Sequence, residues 1–225
     1  MATVTIWRYG YQMPRVADHD ERRALIARTF RRHLVEHGLQ ATTFARVAAA
    51  AGVSVGLIQH YFGSRDELLR FVYVDALGRR DDRIAAHIAE GEAAERPIRE
   101  IIATAVAELL PLDEIRVEEF HVTQNLTTQA LHDHAIAEVA ARAQADLHLR
   151  ASIAVRNGKR CGEVDGGVDV DTAAARILAA TYGLAASLIL VGPDDPTRRR
   201  EHVDAVLEPV LASTFTGRCR HYARS

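Results

Sequence analysis

Cysteine is almost absent from this sequence: Cys161 and Cys219 are the only two in 225 residues. Two thiols so far apart make no disulfide framework, and neither sits in a ligand-like neighbourhood, so reduced thiols are expected. No unbroken run of about 18 apolar residues occurs, which argues against a membrane span. The N-terminus carries no apolar signal core, so export is not expected and the cytoplasm is the expected location. Catalytic signatures are missing as well. There is no Gly-x-Ser-x-Gly, no phosphate loop and no His-Glu-x-x-His. His132, Asp133, His134 and His148 come nearest to a metal cluster, but two histidines two positions apart diverge on a helix. No metal, no cofactor and no enzymatic activity are therefore expected.

What is present suits a globular protein: 48% hydrophobic and 26% charged residues, with length enough for a substantial core. The net charge of −2 hides an asymmetry. Residues 1–70 hold ten arginines against six acids, so the remainder is net acidic. A basic segment on an acidic body suggests one part that meets a polyanion and one that does not.

Helical periodicity runs from about Asp18. Ile26, Phe30, Leu34 and His37 share a face, and Gly38 ends that helix. Thr42 or Thr43 can cap a second helix with Phe44, Val47, Ala48 and Ala51 inward. Gly52 turns the chain, and Ser54 caps a third helix to Phe62. Ser64 with Glu67 forms a capping box for a long fourth helix reaching towards Ile88. Further helices follow over Ile98–Leu110, over 112–133 and over 134–157. The glycines of 158–171 predict a loop. An almost wholly apolar helix from Asp171 comes next, and the last helix, from Thr197, is bent at Pro209. The expected fold is all-α, about nine helices. A helix-turn-helix domain over 18–64 precedes a helical body over 65–225. Residues 1–17 are expected to be a flexible arm, in part upstream of a true start at Met13.

Phe44 to Tyr61 carries the chemistry. Two short helices crossing steeply need small residues where they approach and a glycine where the turn takes positive φ; Ala48 and Gly52 supply these. With Val47, Ala51, Val53, Ile58 and Tyr61 inward, Val55, Gly56, Gln59 and His60 point outward. That is the layout of a helix that reads bases in the major groove. Gln59 can pair bidentately with adenine, His60 can meet a base edge or phosphate, and Val55 and Leu57 can touch thymine methyls. Gly56 permits close approach, and Arg65 suits a phosphate.

Residues 24–70 resemble the N-terminal domain of the tetracycline-repressor (TetR) family of bacterial regulators. The likeness includes the threonine cap, the "VA…AGVS" turn, the G-x-x-x-H-Y-F helix and the "SRDEL" opening. The resemblance implies base or near-base contacts from Val55, Gly56, Leu57, Gln59 and His60. It implies phosphate contacts from Thr43, Ser54, Tyr61 and Arg65. Gln59 stands where many members have tyrosine, Arg65 where lysine is usual, and Ala45 where some place a longer base-reading side chain. The operator sequence therefore cannot be carried over from a relative.

The body is similar to the branch of the glycine-betaine regulator through "RVEEF", "GKRCGEVDGGVDVD" and "AAARILAATYGLAASLIL". This resemblance implies a homodimer through helices around 171–191 and 197–215, reading double-stranded DNA at a palindromic operator. It also implies a small-molecule effector pocket, for which Glu118, His121, Gln124, Asn125, Gln129 and Tyr182 are the candidates. The rivals are an all-α enzyme using that pocket, and an interaction protein without specific DNA reading.

Overall fold

The computed structural model describes residues 15–191 and 196–220. Among these, every regular element is a helix. They are α1 (Arg15–His37), α2 (Phe44–Ala51), α3 (Val55–Phe62), α4 (Arg65–Ala93), α5 (Ile98–Ala107), α6 (Glu114–Gln129), α7 (His134–Cys161), α8 (Val170–Val191) and α9 (Pro196–Thr214). The expected arm falls outside the described residues except for its end, where α1 begins at Arg15 rather than near Asp18.

Side-chain caps set most of the starts. Thr43 accepts from Arg46 N, Ser54 from Leu57 N, Ser64 from Glu67 N and Asp113 from Arg116 N. Each satisfies an amide that the first helical turn leaves orphaned. Pro97 offers no such side chain, and the cap for α5 comes from elsewhere. The buried carboxylate of Glu163, just past the end of α7, accepts from Ile98 N at 2.8 Å and Arg99 N at 2.9 Å. Gly52 and Gly38 both take positive φ, as their turns require.

Helices α5 and α6 end short of the expectation, at Ala107 and Gln129, and two others run past it. Helix α4 runs on to Ala93, beyond Ile88. Helix α7 continues through Gly158 to Cys161, where a loop is predicted. Gly158 is there for contact: a Cβ would lie 2.6 Å from Val164 and 3.0 Å from Phe215. The glycine costs helix propensity and gains close packing of the α9 end on α7.

Three apolar clusters form the interior. One joins α1–α3 to the first half of α4, with Val122, Leu126 and Ile136 contributed by α6 and α7. It thus spans the boundary expected at 64/65. The second gathers α5, α7, α8 and α9 around Val155, Ile177, Leu188 and Leu211. A third, around Ile84, Leu147 and Leu178, lies where α4 meets the body. Helix α4 is therefore common to both halves of the molecule.

His37, expected on the inner face of α1, is exposed. Helix α8, over Val170–Leu190, is the one helix among the described residues long and apolar enough to cross a membrane by length and composition. Its burial accounts for one side of that apolarity. Ala174, Ile177, Leu184 and Leu188 are enclosed, whereas Ala175, Ala179, Gly183, Ala186 and Leu190 are exposed.

Candidate nucleic-acid interface and effector cavities

On α3, Ile58 and Phe62 are the buried anchors, and the cap at Ser54 holds the first turn. Val55, Gly56, Gln59 and His60 stand exposed, with Leu57 half-buried beside them. Tyr61 is half-buried, packed on the first core with the His19 ring edge-on at 4.6 Å and the His60 ring at 5.5 Å. From α1, the Arg23 guanidinium lies 5.3 Å from the Phe62 ring centre and 4.7 Å from that of Phe71. This cation–π stack pins the end of α3 against α4. Arg65 donates from Nη2 to the Leu39 carbonyl at 2.9 Å, tying the start of α4 to the loop after α1. Part of the group expected to grip phosphate is thus occupied inside the domain. Thr43 and Ser54 are exposed at the two helix starts, where each side chain caps its own helix.

A chain of ion pairs leads from α1 into the body. Arg31, almost wholly buried, donates to Asp75 of α4 at 2.6 Å and to Glu118 of α6 at 2.7 Å. Arg79 approaches Asp75, Glu118 and Glu119 at 3.4–3.7 Å. Arg83 then clasps the buried Glu119 at 2.5 Å and Glu108 at 2.7 Å, and Glu108 also meets His87 and Arg116. Hydrogen bonds to Glu119 and Glu108 outweigh burial and hold the Arg83 guanidinium above its ordinary range. Charged residues on consecutive helices look like solvated faces in sequence, so no sequence signal sets this cluster apart.

Two cavities open beside it. The smaller, about 300 Å³, is walled by Tyr73, Phe120 and Tyr182 together with Glu108, Glu119 and Arg116 of the ion-pair chain. The larger, about 620 Å³, is lined by aliphatic side chains such as Ile84, Ile102 and Leu178, with Arg150 and Asn157 among its few polar groups. Leu109 and Leu147 line both.

Residues 28–72 match the bacterial regulatory proteins of the tetR family, and residues 97–212, more than half of the chain, match the C-terminal domain of BetI-type transcriptional repressors. The chain belongs to the TetR family. It is 29% identical over 120 residues to the HTH-type transcriptional regulator PksA of Bacillus subtilis, a match spanning 53% of this chain and 57% of PksA. It is 38% identical over 85 residues to the regulator BetI of Rhizobium meliloti, spanning 37% of this chain and 42% of that protein. The chain thus aligns with about half the length of these curated relatives. A transcriptional regulator from Rhodococcus sp. Rha1 superposes with a TM-score of 0.71 at 26% identity, covering 87% of this chain and 97% of that one. A regulator from Saccharomonospora viridis, solved in complex with choline, gives 0.73 at 22% identity over 84% and 96%. The fold is therefore that of TetR-family transcriptional regulators, and the family is one of regulators rather than enzymes.

For this TetR-family chain, the structure brings two of the six expected pocket residues to a cavity. Gln124 and Tyr182 line the smaller one, and burial raises the Tyr182 hydroxyl above its ordinary pKa. Glu118 is spent on Arg31, and Asn125 donates to the His121 carbonyl of its own helix at 2.8 Å. His121, half-buried with its pKa lowered by desolvation, and Gln129 line neither cavity. The histidines considered for a metal are scattered: His134 lies by Glu138, and His148 by Asp171.

Both cysteines are free thiols, as expected, but their surroundings differ from the expectation. Far apart in sequence, Cys161 and Cys219 meet at the wall of the larger cavity, with Glu163 beside them. Burial, with this carboxylate close by, pushes the Cys161 thiol up to about 12. No signal in the sequence announces the pairing, because it depends on how the segment after α9 folds back on α7.

Proposed function

We propose that the protein is a dimeric repressor that occupies a palindromic operator and leaves it when a small cation binds the body. The carrying observation is α3: a capped, pinned helix whose exposed face offers Val55, Gly56, Gln59 and His60 to another molecule. In this reading that face enters the major groove, with Leu57 at its edge. Thr43, Ser54, the Tyr61 hydroxyl and the free donors of Arg65 meet phosphates. The site works in the cytoplasm, where the DNA is.

The exposed face of α8, with the exposed side of α9, is the dimer surface in this reading. Two-fold pairing there sets the recognition helices about one DNA turn, roughly 34 Å, apart. The effector occupies the smaller cavity. Three aromatic rings with two carboxylates suit a quaternary ammonium ion, by cation–π attraction and charge, with the Arg80 guanidinium at the wall already paired with Asp81. A cation there competes with Arg83 and Arg116 for Glu119 and Glu108. It therefore binds differently to the two arrangements of the ion-pair chain, which any ligand-driven switch requires. The choline-bound relative makes choline the first probe.

The test is selection of bound sequences from random DNA, then titration of the selected palindrome. Specific binding is expected to weaken on the order of 10³-fold between roughly 50 and 200 mM salt. Gln59→Ala with His60→Ala is expected to lower operator affinity on the order of 10- to 100-fold while nonspecific binding persists. Equal affinity of the double variant and the parent for the palindrome would favour an interaction protein without specific reading. Millimolar choline is expected to release the site. If a medium-chain fatty acid releases it and choline does not, the effector belongs in the larger, aliphatic cavity instead.

A further inference from the structure

The segment after α9 turns back onto the end of α7, and several independent features hold it there. Gly217 N donates to the Glu163 carbonyl at 2.9 Å, and Arg220 N to the Cys161 carbonyl at 2.8 Å. A Cβ on Gly217 would sit 2.0 Å from the Gly162 carbonyl oxygen, so only glycine allows the two backbones to come this close. Gly162 itself has φ +93°. This docking carries Cys219 to Cys161.

The sulfur atoms of Cys161 and Cys219 and a carboxylate oxygen of Glu163 all lie within 4.8 Å of one another. The Cys161 sulfur is 3.4 Å from Glu163 Oε1. Four-coordinate zinc holds sulfur at about 2.3 Å and carboxylate oxygen at about 2.0–2.2 Å, which puts neighbouring ligand atoms roughly 3.6–3.8 Å apart. Cys161 Sγ and Glu163 Oε1 are close to that spacing already, and the Cys219 sulfur lies within 4.8 Å of both. Glu163 is also held in place from behind, because each of its oxygens accepts one α5 backbone N–H and keeps further lone pairs. A thiol pair alone would suit a disulfide equally well. The buried carboxylate as third donor favours a cation.

We infer that Cys161, Cys219 and Glu163 form a binding site for a thiophilic divalent cation of the zinc type. Binding displaces the two thiol protons and leaves two thiolates and one carboxylate on the ion, with the fourth position for water or a cavity ligand. Both sulfurs belong to the wall of the larger cavity, so the ion would join the segment after α9, the end of α7 and the start of α5 at one rim of that space. The inference stands apart from the effector reading, which uses the other cavity.

Equilibrium dialysis of the reduced, tag-free full chain against Zn²⁺ tests it, with Co²⁺ substitution as the spectroscopic check. One ion per chain at micromolar concentration is expected, with a thiolate-to-Co²⁺ charge-transfer band and d–d bands of tetrahedral intensity. Cys219→Ser, outside every helix, should remove the charge-transfer band or cut it to about half and weaken binding at least tenfold, while the helical circular dichroism stays unchanged. Cys161→Ser should do the same, and Glu163→Gln should weaken binding yet keep the sulfur band. Zn²⁺ bound equally by parent and double-serine chains would overturn the site. So would loss of two hydrogens in the mass of the metal-free chain on mild oxidation, combined with no Zn²⁺ binding by the reduced chain; that result would assign the pair to a disulfide.

Discussion

At the scale of single residues, Gly56 is the most informative position. It sits in the first turn of an exposed helix face, and a Cβ there would meet only Ser54 Oγ, at 3.9 Å. Nothing within the protein demands a glycine, which in a helix costs roughly 0.5–1 kcal/mol relative to alanine. In the proposed reading the glycine serves the DNA surface that approaches the backbone there. Gly56→Ala is expected to raise stability by up to about 1 kcal/mol, read as a higher midpoint in urea unfolding, and to weaken operator binding in the same preparation. A gain in both would remove the close-approach argument. Neighbouring residues were legible because each has a local duty: Thr43, Ser54 and Ser64 cap, and Gly52 takes positive φ. Cys161, Cys219 and Gly158 were not, because their roles lie in contacts with distant segments. Gly158 reads as a helix breaker until Phe215 is seen against it.

At the scale of elements, α4 and its ion pairs join the two halves. Periodicity placed the helices well, since caps and apolar spacing are properties of one segment. It could not tell which neighbour covers a polar face. Glu118 therefore looked like a pocket residue, although it answers Arg31 across α1 and α6. The same blindness left Arg79, Arg83, Glu108 and Glu119 unremarked. Arg31 gives the prediction at this scale. Removing one partner of a fully buried pair costs about 3–5 kcal/mol. Asp75 and Glu118 keep 34% and 30% of their side-chain exposure, so water can recover part of that loss. Arg31→Met is thus expected to destabilise by about 1–3 kcal/mol. Because Arg31 fastens α1 to α4 and α6, amide hydrogen exchange should quicken in α1–α3 while α8 keeps its protection. Uniformly faster exchange would mean that Arg31 supports the whole fold and does not link its halves.

The whole molecule adds a constraint that neither residues nor single helices supply: a palindrome needs two copies held at a fixed separation. Helix α8 is apolar on both sides, yet within one chain only one side is covered. Ala175, Ala179, Gly183 and Ala186 recur every three or four residues along the open side, and Leu190 beyond them is 86% exposed. Such a stripe of small residues lets a second helix approach closely. Gly183 is the position at which the protomer and the dimer can be separated. No atom lies within 4 Å of a Cβ added there, so the isolated chain has room for a side chain. Arginine also has the better helix propensity. Gly183→Arg should therefore fold with unchanged helical content, while sedimentation equilibrium finds the mass of one chain where the parent has that of two. Operator affinity should then fall together with the loss of the second half-site, and a half-site alone should be bound equally by variant and parent. A dimeric Gly183→Arg would place the interface elsewhere and leave the exposed side of α8 without a partner.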